Sequence, residues 1–199
     1  MATDERITGE DWYGDDLGAV RHVGVTFVDV DLTEAATAGA HFESCVFRAC
    51  RFNASRHTHS AFVACTFAGT SFFDATFEAC KMTGSVFDRC TLRPMKVVDG
   101  IWRDVTARGA DLAGLDLTDC DLTGADLSGA SLVGTSLART RLDGATLRGS
   151  DLSGADLRGA TLGGTDLDET VLRGARVDLA GAIALAERTG AVVDLDAPA

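Results

Sequence analysis

The side chains of this 199-residue chain that could do chemistry are four histidines, six cysteines and a large set of carboxylates. His57 and His59 form an H-x-H pair, but no further ligand follows at a spacing that would complete the set of about four donors that a structural zinc ion takes. Cys45, Cys50, Cys65, Cys80, Cys90 and Cys120 form no C-x-x-C pair, so neither a metal site nor a disulfide framework is expected. There is no G-x-S-x-G elbow, no phosphate-cradling G-x-x-x-x-G-K loop and no G-x-G-x-x-G following a strand. With no nucleophile, base and orienter in view, the expectation is no enzyme, no cofactor and no small-molecule substrate.

The elements that must position these residues follow a period of five. From Ala110 the chain reads ADLAG LDLTD CDLTG ADLSG and onward to TVLRG. The same phase, counted backwards from Leu112 through Trp102, Phe87 and Phe47 to Leu17 and forwards to Val177, takes in every phenylalanine except Phe73. Five is the period of neither helix nor strand, so the chain must turn at each unit. Within a unit, the small residue and the leucine lie two apart and share one side of an extended segment, while the residue between them faces out. The x-Gly that follows makes a corner. Quarter turns close a square of about 20 residues, and about 8 squares stacked about 4.8 Å apart make a rod of roughly 38 Å. All six cysteines fall at the small inward position and read as core packers. His22 and His57 fall at inward phases and are expected buried and hydrogen-bonded. The solid interior leaves no ligand-sized pocket.

The fold class is therefore all-β, a quadrilateral β-helix over 15–177, with an N-terminal extension or cap over 1–14 and a C-terminal segment over 178–199. Trp12 and Tyr13 would cover the first square. Pro94 cannot donate to a ladder and Ala107 underfills a leucine position, so an irregular square is expected over 92–108. After Val177, Asp178 can cap a short helix whose apolar stripe is Leu179, Ala182, Ile183 and Ala186, ended by Gly190. With the strand-like stretch 191–195 it either covers the rod's open end or meets its twofold copy as a dimer contact. No signal-peptide core and no membrane-length apolar run is present, which makes the cytoplasm the expected compartment and a membrane no partner.

The formal net charge of −12 makes nucleic acid an unnatural partner and a basic surface a natural one. Asp111, Asp116, Asp119, Asp121 and Asp126 stand together in the chain with no Lys or Arg among them. With Asp104, Asp151, Asp156 and Asp166 they form the candidate partner-binding surface. Asp111 with Asp151, Asp116 with Asp156, and Asp126 with Asp166 should share faces two squares apart. The alternative is that outward aspartates only keep the rod soluble. Two chains joined end to end would carry about one charge per 3 Å, near half the density of duplex DNA.

The small-Asp-Leu-x-Gly units resemble those of pentapeptide repeat proteins, which form right-handed quadrilateral β-helices. The strings SRHTHSAF, GSVFDRCTLRP, LAGLDLTDC and LRGARVDLAGAIALAERTG are similar to the MfpA/Qnr-like fluoroquinolone-resistance type within that family. The resemblance implies a homodimer joined head to head through the C-terminal helix at Leu179, Ala182, Ile183 and Ala186. It also implies a DNA mimic whose outward aspartates bind and inhibit DNA gyrase and protect it from fluoroquinolones. The rival from another class is an acidic scaffolding solenoid that engages an unrelated protein.

Overall fold

The computed structural model describes residues 5–188 and 190–194. Each inward residue stands over the one 20 positions earlier, and all pairing is parallel: Ile7 on Phe27, Phe27 on Phe47, Phe47 on Phe67 and Phe67 on Phe87. Four faces result. The first stacks Arg6–Thr8, Thr26–Val28, Val46–Arg48, Thr66–Ala68 and Val86–Asp88. The second is a column of single bridges from Asp11 through Asp31, Arg51 and Ser71 to Thr91. The third stacks Asp16–Gly18 through Lys96–Val98, and the fourth begins with Arg21–Val23, His41–Glu43 and Ala61–Val63. Isolated bridges carry the coil on to Asp156↔Arg176. Among the described residues no helix is long and apolar enough to cross a membrane.

Inside the first half, phenylalanine rings stack at the rung spacing, with centroids 4.7 Å apart for Phe27 and Phe47 and 4.9 Å for Phe47 and Phe67. Leucines take over below. Small-position hydroxyls and thiols are satisfied by the wall itself: Ser85 donates to the Phe62 carbonyl at 2.8 Å and Thr140 to the Leu117 carbonyl at 2.7 Å. The cysteines are all free thiols, of which five are buried and Cys90 is half-buried.

The coil starts earlier than the proposed 1–14 extension allows. Arg6–Thr8 pairs with Thr26–Val28, Ile7 and Trp12 keep the inward phase, and Trp12 stacks on His22. Glu5, Glu10 and Asp15 hide this in the sequence: they occupy small inward positions, which at the open end of the coil face water. Tyr13 is outside, its hydroxyl donating to Glu34 at 3.0 Å. The corners are also less dependent on glycine than the repeat suggests, since Asp29, Ala49, Ala54, His59 and Ala79 hold the same left-handed φ as the glycines. Gly100 is different: a Cβ there would lie 2.6 Å from the Cys80 carbonyl oxygen and 3.2 Å from the Trp102 indole nitrogen.

The expected irregularity is an opening of the wall. Among the described residues, no backbone hydrogen bond or bridge joins 89–99 to 108–119, although Val86↔Thr106 and Ile101↔Asp121 keep the first and fourth faces closed. Pro94 stands at a corner where other residues donate N–H to the next rung, as Gly69 does to Asp88. Beneath the opening lies an apolar cavity of about 30 Å³, lined among others by Phe87, Trp102, Ala107 and Leu127. Its origin is Ala107, which leaves unfilled part of the space a leucine would take between Phe87 and Leu127.

At the far end Leu179–Arg188 is an α-helix. Asp178 Oδ1 accepts the Gly181 N–H at 2.9 Å and its Oδ2 accepts the Gly159 N–H at 2.8 Å, so one carboxylate both caps the helix and fastens it to the coil. Gly190, at φ +82°, donates to the Glu187 carbonyl and Ala191 donates to that of Ala186, a Schellman ending. Residues 191–194 form no strand, and Leu195, the last of the strand-like stretch, lies outside the described residues.

Candidate interaction surface

The histidines divide between wall and core. His57 is fully buried in a closed network: its Nδ1 lies 2.8 Å from Thr37 Oγ1 and its Nε2 lies 2.9 Å from Ser55 Oγ, while Ser55 donates to the Phe52 carbonyl. Burial holds its pKa down to about 3, so the ring is neutral. His59 is at an exposed corner and does not join it. His22 is half-buried near the open end and stacks on Phe42.

The outward aspartates have a job in the wall that the sequence reading missed. In the D-L-x units the carboxylate accepts the N–H two residues on: Asp111 from Ala113 (3.1 Å), Asp116 from Thr118 (3.0 Å), Asp151 from Ser153 (2.8 Å), Asp166 from Asp168 (3.0 Å). Asp121, Asp126 and Asp156 do the same. This bond fixes each corner and leaves the second oxygen pointing away.

Arginines from neighbouring rungs then claim most of those second oxygens. Arg93 meets Asp111 (2.9 Å), Arg108 meets Asp126 (2.6 Å) and Arg148 meets Asp166 (3.1 Å), while Arg139 takes both oxygens of the corner residue Asp119 (2.7 and 2.6 Å). Arg158 pairs with Asp156 within its own unit. The run of aspartates without cations is therefore not a surface without cations. Arg139 holds the Asp119 carboxyl below the usual range. Asp121 departs furthest from expectation: it is 4% exposed and lies between Arg103 (2.8 Å) and Arg141 (2.6 Å). Burial alone would raise its pKa, but hydrogen bonds from Thr123 and Arg141 outweigh that and lower it. It is a buried clamp, not a contact residue. Asp104, Asp116 and Asp151 make no ion pair among the described residues. The shared columns are present as expected, with Asp111 and Asp151 separated by Ser131, Asp116 and Asp156 by Ser136, and Asp126 and Asp166 by Thr146.

The structure brings Asp116 to a place no sequence pattern marked. Where the ladder is open on the third face, Val97, Val98, Asp99, Asp116, Thr118 and Asp119 line a groove of about 430 Å³. Val98 and Ile101, flanking its corner, are 53% and 43% exposed. Their signal was available: both are large apolar residues at outward phases.

The C-terminal helix has two opposed apolar faces. Gly181 is buried and Leu185 packs against the coil core, lining a groove with Leu167, Leu172 and Arg188. The stripe named from sequence lies on the other side, with Leu179 68% exposed, Ala182 exposed, and Ile183 and Ala186 half-buried. Leu185 was missed because it lies outside the stripe read as apolar.

Residues 103–137 and 135–174 match the family model described as pentapeptide repeats. No curated protein matches the sequence. A trypsin-treated variant of QnrB1, a plasmid-mediated fluoroquinolone resistance protein, superposes with a TM-score of 0.58 at 20% identity, covering 96% of this chain and 98% of that one. Full-length QnrB1 gives 0.53 at 18% identity over 94% and 98%. HetL, a protein of heterocyst differentiation regulation from the cyanobacterium Nostoc, gives 0.41 at 23% identity over 86% and 84%. The matched pentapeptide repeats of 103–174 lie within one coil whose five-residue phase holds from Ile7 to Val177, and that coil has the fold of QnrB1.

Proposed function

We propose that this protein binds and inhibits DNA gyrase as a DNA mimic, protects it from fluoroquinolones, and works as a cytoplasmic homodimer joined through the helix stripe at Leu179, Ala182, Ile183 and Ala186. The observation that carries the reading is the set of stacked carboxylate columns, repeating two rungs or about 9.6 Å apart, on a stiff coil of net charge −12. The fold shared with a fluoroquinolone resistance protein supports it. The arginine pairs lower the surface charge but do not preclude it, because exposed pairs add little to stability and yield to a better-ordered, desolvated partner cation. Supercoiling by purified gyrase is expected to fall as this protein is added, less so at higher salt. Absence of both inhibition and fluoroquinolone protection at low and at moderate salt removes the reading. Ile183→Asp is expected to halve the mass seen by light scattering, and an unchanged mass means that the helix only caps the coil.

Exposed Phe73, Val98 and Ile101 favour a second reading, a scaffolding solenoid that engages an unrelated protein through apolar contacts. Pull-down from native lysate separates the two by whether gyrase is recovered.

A further inference from the structure

The third-face groove lies where the ladder is open, a gap that spans the second and third faces between 89–99 and 108–119. Where the ladder is closed an inward N–H meets the carbonyl 19 residues on, as Trp102 meets Asp121 at 2.8 Å; here the N–H groups of Val97 and Asp99 and the carbonyls of Asp116 and Thr118 make no such bond. Asp99 spends one oxygen on the Gly100 N–H (2.6 Å) and Asp116 spends one on Thr118 (3.0 Å), so each keeps a free carboxylate oxygen. Asp119 is neutralised by Arg139, and Lys96 is turned to Asp74, which leaves the groove with a local excess of two negative charges. Val98 supplies an exposed apolar wall beside them.

We infer that this groove is the point at which the partner docks, and that its occupant is an arginine-bearing segment of the partner's DNA-binding surface. The inference rests on the gyrase-binding reading and names the face that reading leaves open. A guanidinium has five N–H donors in a planar fork and no acceptor, which suits two free carboxylate oxygens and two unpaired carbonyls in one groove. Its methylene stem lies against Val98, and the segment's own carbonyls meet the N–H groups of Val97 and Asp99. DNA-binding surfaces carry arginines of this kind to hold phosphates, so the groove competes for them on the same chemistry.

The test is inhibition of gyrase supercoiling by the full-length protein and three variants, each first shown to melt like the wild type by circular dichroism. Val98→Arg puts a cation of the protein's own into the groove, and Asp99→Asn with Asp116→Asn removes its two free carboxylates. Asp11→Asn with Asp29→Asn removes the same charge from unpaired sites near the other end. Each groove variant is expected to need at least about tenfold more protein for half-inhibition, the loss expected from one or two charge-assisted hydrogen bonds, and the distal pair less than about twofold more. Equal losses in the distal and groove pairs, or wild-type inhibition by the groove variants, overturn this inference and leave the gyrase reading standing. A wild type that does not inhibit overturns both.

Discussion

The two halves of the coil solve one packing problem with different materials. From Phe27 to Phe87 the interior is a column of stacked rings, three-residue strands form on three faces, and many corners are built by Ala, Asp, Ser or His held at left-handed φ. From Ala107 to Leu172 the interior is leucine and the rungs touch through single bridges. Every corner there is closed by a turn bond from the residue at the small position to the carbonyl three back, as in Ala125 to Leu122. The second half is the part that the family model recognises, residues 103–174. The comparison shows that the coil needs the inward phase and a left-handed corner but not a particular side chain at either.

Removing interior bulk should break the comparison most visibly. Phe47→Ala is expected to cost about 4 kcal/mol in urea unfolding and Leu132→Ala about 3, since both are fully buried but the ring also loses two stacked neighbours. Acid should come next and act on the first half alone. His57 is neutral in the fold, with a pKa near 3, and ordinary at 6.5 when unfolded, so the unfolded state takes the proton first. Stability is then full above about pH 6.5 and falls by about 1.4 kcal/mol per unit down to about pH 3. Between pH 6.5 and 4.5 the loss is about 2 kcal/mol. The carboxylates of lowered pKa, ordinarily near 3.8, lose their contribution only below that window. His57→Leu should flatten this profile, and a slope that survives the change assigns it elsewhere.

Smaller effects sharpen the contrast at the junction and the corners. Ala107→Leu restores the leucine column and fills the apolar cavity, and is expected to add about 1 kcal/mol; destabilisation would mean that the open wall cannot accommodate the added volume. Ala49→Gly should gain about 0.5 kcal/mol, because relief of a left-handed alanine at φ 51° slightly exceeds the added freedom of the unfolded chain. The same corner in the second half is already glycine at Gly109, Gly129 and Gly149.

Much of the wall was legible because a five-residue phase assigns each side chain to inside or outside without reference to anything distant. Burial of Phe47, His57, Cys65 and Leu132 followed from the phase alone. The candidate surface was legible only in part. Arg139 stands 20 residues from Asp119 and Arg141 from Asp121, so those pairs follow from counting across one turn. Arg93 with Asp111 and Arg108 with Asp126 join neighbouring rungs diagonally, at 18, and the choice of diagonal depends on side-chain reach and on which oxygen the corner has already taken.

The sequence by itself determined the period, the inward set, the place where the rule changes at Val177 and the capping role of Asp178, because each is a local property of spacing and residue type. Only the tertiary structure decided which aspartates keep a free oxygen, where Asp121 is hidden and where the ladder parts between 89–99 and 108–119. Those outcomes depend on what stands one rung away, and a chain that folds back every 20 residues brings together charges and backbone groups that no local pattern records.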